Sequence, residues 1–572
     1  MKNLINKKEI MKYFKYLILA LPILFIMGCD LDEEPPFLDE TIYTNAQSAQ
    51  AARDGIYQSL TTYNTQERRL FITNLYSGLM FTGKGGNRVN TRDMSTLVSL
   101  KPGYHMDADW LWTGLYQTIA RCNGAISNIN TTASPSSNDE VVFNDVAGHA
   151  YFVRAWSYFE LVNLFGDVPL WLDLPSSDNT NKALSSKSDV VQQIISDAST
   201  AASMLNGNAG IGYPKAHAAN MLLAKVYMTI ATNNDLQVDG SSMDYWNLAN
   251  QAAQSAYGHY SLVNDFGSLF TVQGENSTES MFELQISQDA TNSQMGRNFT
   301  PWKYKAGMHF GWFRVSAFQH DKHLKAYGGN TTWNANNLST YPDSRYKATY
   351  LSQYQRADRT PPAGLVRVYP HNPTRGRFAI AHPYLFKWAE KDKTHNNQFN
   401  SQNIVVYRYA ELLLMLAEIS NELGNGQQMT YLQPVLDRAG VTARPQFSQG
   451  QSAFRDAIMD EYKFELIGEG HDSWHVRRRG VQYFIDKTLS PHNNSFGKRV
   501  GVGWKRYAKN LEVEFSTDPN QIMQMPIPIS EVNTNELINL MKKFIIKKMI
   551  IKKLHKKSYH IQTKIKIYSG NK

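Results

Sequence analysis

The chain has 572 residues, 42% of them hydrophobic, with 59 Lys and Arg against 50 Asp and Glu and two cysteines. Eleven of the Lys and no acidic residue fall in residues 541–572, so residues 1–540 carry −2; the first 28 residues contribute +4, leaving −6 for residues 29–540. The basic balance therefore implies no nucleic-acid partner for the main body, and two cysteines exclude a disulfide scaffold.

Residues 1–28 read as a signal peptide. Five Lys (2, 7, 8, 12 and 15) precede the apolar run YLILALPILFIMG, which is shorter than the roughly 20 residues a membrane span needs. Gly28 and Cys29 follow at once, the arrangement of a bacterial lipobox, so Cys29 is expected to carry lipid; the plainer reading is an ordinary signal peptide ending near a cysteine. DLDEEPP begins an acidic, Pro-containing tether over 29–44, which cannot pack.

Helical spacing then predicts helices over 45–63, 109–129 and 139–165. In the last, Val146, Ala150, Val153, Leu161 and Phe165 mark one face and Gly166 stops it. Cys122, within an apolar helical pattern, reads as a buried, inert thiol. Further helices are expected over 189–205, 214–231, with Pro214 in the first turn, and 245–257. Short turns between paired amphipathic helices suggest stacked hairpins of the tetratricopeptide kind. Residues 258–400 change character, being rich in Gly, Asn, Pro and aromatics, with strands expected at 281–287 and 378–388 between long irregular segments. Helices return over 406–424, 429–440 and 452–470. No linker separates domains, so 45–540 reads as one mainly α domain with a loop-rich insert at about 258–400.

Catalytic constellations are not legible. HExxH, P-loop and GxSxG motifs are absent from the sequence, and no linear pattern picks out a glycosidase carboxylate pair. GNAGIG at 207–212 reads as a turn. His471 and His475, four apart on a helix, have metal-ligand spacing, but a structural role is the plainer reading. Arg408 and Glu411 read as an internal ion pair. Aromatics make up 12% of the chain, with 31 Tyr and 11 Trp, and exposed rings of this kind stack on sugar faces.

Several segments together resemble the SusD/RagB family of outer-membrane nutrient-binding lipoproteins of Bacteroidetes. They are VAGHAYFVRAWSYFELVNLFGDVPLW (146–171), VYRYAELLLMLAEISNELG (406–424), DEYKFELIGEGHDSWHVRRRG (460–480), MPIPISEVNTNEL (525–537) and the start at CDLDEEPP, and they match in order from Cys29 to about Leu537. Asp472 and Ser473 depart from the pattern. So does the Lys/Ile-rich tail, which reads as a low-complexity extension from a shifted or run-on reading frame. Deleting residues 541–572 is accordingly expected to leave ligand binding and thermal stability unchanged, and loss of either overturns that reading.

The resemblance implies four tetratricopeptide-like hairpins as a scaffold, with the irregular remainder as a ligand surface. It implies a surface-exposed lipoprotein of the cell outer membrane, anchored through Cys29, that needs no cofactor or metal and catalyses nothing. Such a protein caps a SusC-like TonB-dependent transporter and hands it oligosaccharides. Ligand contacts are then expected from the early loop 81–93, through Arg88, Asn90 and Arg92, from 301–318, through Trp302, Tyr304 and Trp312, and from Trp333. Peptide capture, as in the RagB branch, a secreted helical glycoside hydrolase and a ligand-free surface protein stay open as alternatives.

Overall fold

The computed structural model describes residues 43, 45–82, 97, 106–131, 137–174, 179–286, 295–329, 341–361, 363–367, 383–391, 402–495 and 514–539. Cys29, the tether, Arg88, Asn90, Arg92, Trp333 and the 541–572 tail lie outside the described residues.

Helix α1 (Ala46–Leu60) starts where Asn45 and Ser48 cap each other: the Ser48 amide donates to Asn45 Oδ1 at 2.9 Å, and the Asn45 amide donates to Ser48 Oγ at 3.2 Å. A π-turn leads into α2 (Arg68–Leu75) and strand β1 (Met80–Thr82). Then follow α3 (Met106–Thr131), α4 (Ser137–Phe165), α5 (Lys187–Met204), α6 (Ala216–Ala231) and α7 (Ser242–Ala256). Each of α3 to α7 packs on its successor, as antiparallel hairpins require. This is the mainly α, tetratricopeptide-like scaffold expected from the helical pattern.

Two details differ. α4 is buried on nearly all sides, not on one face: Phe152, Trp156, Tyr158 and Phe159 are covered as fully as Val146 and Val153, because α1, α3 and α5 all pack against it. Pro214 lies outside α6: Lys215 is the extended N-cap and the helix begins at Ala216.

The insert supplies β2 (Ser280–Leu284), β3 (Phe313–Val315), β4 (Tyr350–Leu351), β5 (Gln353–Gln355), β6 (Leu365–Arg367) and β7 (Tyr384–Leu385). One antiparallel sheet runs in the order β1, β3, β7, β4, with Met80 opposite Val315 and Arg314 opposite Tyr384. β5 and β6 form a separate hairpin. Of the strand expected at 378–388, only Tyr384–Leu385 is a strand, and 378–382 lie outside the described residues.

The helix expected from 406 begins three residues later. Ile404–Arg408 form β8, which pairs antiparallel with β2, and α8 spans Tyr409–Leu423. The β-branched run Ile404, Val405, Val406 suits a pleated, buried position. α9 (Gln428–Ala439) and α10 (Gln451–Leu466) pack on α8. α10 stops four residues short of the expected 470 because Gly468 and Gly470 adopt φ of 89° and 92°. A Cβ at Gly468 would lie 2.5 Å from Leu385, and one at Gly470 would lie 2.7 Å from the Arg69 guanidinium, so this turn requires both glycines.

α11 (Asp472–Arg477) follows. Asp472, one of the two departures from the family pattern, accepts a 2.8 Å bond from the Gly468 amide and closes the turn. Burial pushes its carboxyl up to about 7, against the pull of the Gly468 amide and Lys387. The folded state therefore holds a proton that the unfolded chain releases, and stability falls as pH rises from the ordinary carboxylate range to about 7. Asp472→Asn, which keeps an acceptor for Gly468, is expected to match the parent near pH 4. It should gain about 1.4 kcal/mol per pH unit above that, levelling off past pH 7. Urea denaturation across this range checks the slope; a gain that does not vary with pH removes the argument.

Arg408 and Glu411 are not an ion pair. The Arg408 guanidinium bonds Glu279 at 2.8 Å, Glu465 at 2.6 Å and Glu469 at 2.7 Å. Glu465 and Glu279 also meet Arg438, Glu469 meets Lys387, and Arg345 bridges Glu465, Glu461 and Asp343. All these side chains are buried, so four cations and five carboxylates share one dry network that joins α9, α10, β2 and β8. Neighbouring guanidinium groups of Arg438, Arg408 and Arg345 hold the Glu465 carboxyl far below its usual value despite burial.

Glu411 belongs to a second cluster. It pairs with Lys225, while His471 and His475 approach it at 3.5 Å from either side. Burial keeps both imidazoles neutral. Both imidazoles pack around the Glu411 carboxylate inside this cluster, and among the described residues no group of three or more His, Cys, Asp or Glu side chains is placed to hold a metal. Cys122 is fully buried in α3, and burial pushes its thiol well above the ordinary value, as the helical pattern around it implies.

Candidate functional site

The segment 295–312 leads into β3 and carries three of the expected site residues. A short helix (Met295–Phe299) begins it. Phe299 stacks on Phe313 with centroids 4.2 Å apart, and Phe313 meets Phe71 of α2 edge-on at 4.6 Å. The segment is thus pinned at its base to the helical scaffold. Its far end closes through backbone bonds: the Phe310 amide donates to Arg297 O and the Trp312 amide to Asn298 O, both at 2.8 Å. Gly311 permits this closure, since its φ is 53° and a Cβ there would sit 2.8 Å from the Pro301 backbone.

Between these anchors lies an exposed aromatic surface. Trp302 is 42% exposed and Met308 61%. The β5–β6 hairpin supports Trp302 from beside: the Tyr354 hydroxyl donates to Trp302 O at 2.7 Å, and the Ala357 amide donates to Lys303 O at 2.9 Å. Lys303 takes a left-handed φ of 61°, which this support holds in place. The Arg356 guanidinium sits 4.5 Å from the Trp302 ring centre and is itself fixed by two bonds to Asp358, at 2.8 and 2.6 Å. A cation over an exposed ring contributes about 0.5–1 kcal/mol. The indole is therefore presented in one orientation while a large part of its surface stays in water. Such a rigid flat ring is what a sugar ring stacks on.

The other two aromatics contribute less surface. Trp312 is half-buried, stacked on Phe310 with centroids 4.9 Å apart, and meets Phe71 edge-on at 6.0 Å. Tyr304 is half-buried against Tyr354 and Phe386, and burial raises its hydroxyl pKa. Trp302 and Trp312 thus stand at two ends of one loop, the first open and the second packed. The polar partners Arg356, Asp358 and Lys303 were not foreseen, nor were Met308 and Phe310. An aromatic next to or near a cation, WK at 302–303 and YQR at 354–356, is a sequence signal that could have pointed to Lys303 and Arg356.

Two comparisons bear on the whole chain. The SusD family model matches residues 226–542, more than half of the chain.

The chain belongs to the SusD family.

A second family model, described as starch-binding and associating with the outer membrane, matches residues 32–228. The chain is 27% identical to SusD-like protein P2 of Formosa agariphila over 555 residues, covering 93% of this chain and 99% of that protein. It is 23% identical to a SusD-like protein of Bacteroides ovatus, covering 84% and 85%. Among solved structures, a SusD homolog from Bacteroides thetaiotaomicron superposes with a TM-score of 0.66 at 19% identity, over 87% of this chain and 97% of that one. Surface glycan-binding protein A from the same organism, solved with laminarihexaose, gives 0.62 at 17% identity, over 86% and 98%. At such identities these structures establish the SusD fold and leave the ligand open. Among the described residues of this SusD-family chain, no helix is long and apolar enough to cross a membrane.

Proposed function

We propose that this chain is a non-enzymatic, surface-exposed lipoprotein of the outer membrane, anchored through lipid on Cys29. It captures oligosaccharides on the Trp302 platform and delivers them to a SusC-like TonB-dependent transporter. The observation that carries the reading is the Trp302 indole, which lies beside the Arg356 guanidinium on a backbone held by the Tyr354 hydroxyl and is yet 42% exposed. Nearly half of the ring faces water, where a ligand can reach it. Membership of the SusD family and the complex of a structural relative with laminarihexaose favour sugar as the partner of the ring. Arg88, Asn90, Arg92 and Trp333, which lie outside the described residues, belong to the same reading as polar and stacking contacts.

Native affinity electrophoresis tests it. Residues 30–540 are run through gels that contain single polysaccharides, beginning with laminarin, then starch, xylan and pectin. Retardation by one polymer and not by the others supports glycan capture. Migration unaffected by every polymer moves the reading to peptides or to a site that only the transporter completes.

A further inference from the structure

A second cleft, of about 330 Å³, opens between α3, the segment after α4 and the helix Ile529–Thr534 near the C-terminal end of the described fold. It shares no lining residue with the Trp302 platform. Tyr116, Trp171, Asp173, Thr180, Glu531 and Asn535 line it. This volume is at the lower end of the roughly 300–1,000 Å³ typical of small-ligand sites, room for one or two sugar rings.

Its chemistry is one-sided. Asn535 is 4% exposed, and its amide nitrogen donates to Lys182 O and to Glu531 Oε1, both at 2.8 Å. Two acceptors fix which way the amide points, so the atom left over is the carbonyl oxygen Oδ1, which is buried without a hydrogen-bond partner. A buried carbonyl left unpaired is costly, and here it belongs to a residue that lines a cleft. Glu531 is held by the Trp112 indole N–H at 3.2 Å and by Asn535, which leaves carboxylate lone pairs over. Asp173 adds a second, exposed carboxylate. Tyr116, by contrast, has already donated its hydroxyl hydrogen to Pro169 O at 2.8 Å. The cleft thus offers acceptors and asks for donors.

It also offers a flat apolar wall. Trp171 is half-buried, and its backbone is locked at both ends: its amide donates to the Tyr158 hydroxyl at 2.7 Å, and its carbonyl accepts from Tyr158 and from Asn123. Lys182, which does not line the cleft, lies over the ring 5.0 Å from its centre. A ligand that presents several hydroxyl donors around an apolar ring face matches this combination.

We infer that the Trp171 cleft is a second carbohydrate site, which takes one or two neutral sugar units with their hydroxyls donated to Asp173 and to Glu531, which Asn535 holds in place, and the ring laid on Trp171. It would give the protein two contacts along one polymer, which raises avidity without any change at the first site.

Fluorine NMR of the full-length chain labelled with 5-fluorotryptophan tests this, because it reads each Trp separately. The Trp171 and Trp302 signals are assigned by their loss in Trp171→Phe and Trp302→Phe. Glucose, galactose, mannose, xylose, maltose and cellobiose are titrated singly. The expected result is that at least one sugar moves the Trp171 signal, that the movement persists in Trp302→Ala, and that it is lost in Asn535→Leu and weakened in the exposed, structurally mild Asp173→Ala. No movement with any of the six sugars overturns the inference. So does movement that disappears in Trp302→Ala or survives unchanged in both Asn535→Leu and Asp173→Ala. The Trp302 signal in the same spectra keeps the two readings apart: a shift at Trp171 alone discredits the platform, and a shift at Trp302 alone discredits the cleft.

Discussion

Arg408→Met is expected to lower the stability of the protein by about 3–5 kcal/mol, the range for removing one partner of a buried ion pair. Methionine matches much of the arginine stem in volume, so the loss is of charge and hydrogen bonds and not of packing. The guanidinium serves Glu279, Glu465 and Glu469 at once and also donates to the Glu465 backbone carbonyl at 2.9 Å. Without it the network keeps three cations, Arg438, Arg345 and Lys387, against five carboxylates in a site closed to water. Guanidinium denaturation at neutral pH measures the effect. A drop below about 1 kcal/mol would show that the remaining cations compensate by themselves. The exposed pair Lys487–Asp456, at 2.7 Å, is the control: Lys487→Met should change stability by less than about 1 kcal/mol.

Trp302→Ala is expected to weaken retardation by whichever polysaccharide the protein recognises, while the thermal transition stays where it was. The ring is 42% exposed and its removal leaves no cavity in the core. Its backbone contacts, Tyr354 to Trp302 O and Ala357 to Lys303 O, do not depend on the side chain. Each sugar–ring stack contributes on the order of 1 kcal/mol, roughly a fivefold change in affinity. Trp312→Ala should behave differently: that ring packs on Phe310 and Phe71, so its loss costs stability and affinity together. Equal binding by parent and Trp302→Ala, with the melt unchanged, would remove the platform from the mechanism.

These two residues also show what the sequence could and could not convey. The stacked helices were legible because local spacing and caps such as Asn45–Ser48 determine them. The Arg408 partners were not. Arg408 and Glu411 stand three apart, the distance of neighbours on a helix, and that suggested a pair. But Arg408 has φ −140° and ψ 156°, extended backbone just outside α8, and its carboxylates come from 57, 61 and 129 positions away. Similarly, Trp302 and Trp312 are chemically identical in the sequence. Phe71, some 240 positions earlier, helps pack the second while the first stays open. The end of α10 was missed because a turn that needs two glycines at positive φ is written in the neighbours Leu385 and Arg69, not in the turn itself.

Cys122 has a practical corollary. A protein that starts at residue 30 retains a single sulfhydryl, and that one is sealed inside α3 with its ionisation suppressed. Alkylating reagents act on exposed thiolates, so they pass it by. A cysteine introduced at Met308, which is 61% exposed beside the platform, then becomes the one group they reach. An environment-sensitive dye placed there would report ligand arrival in real time, with no need to delete the native thiol first.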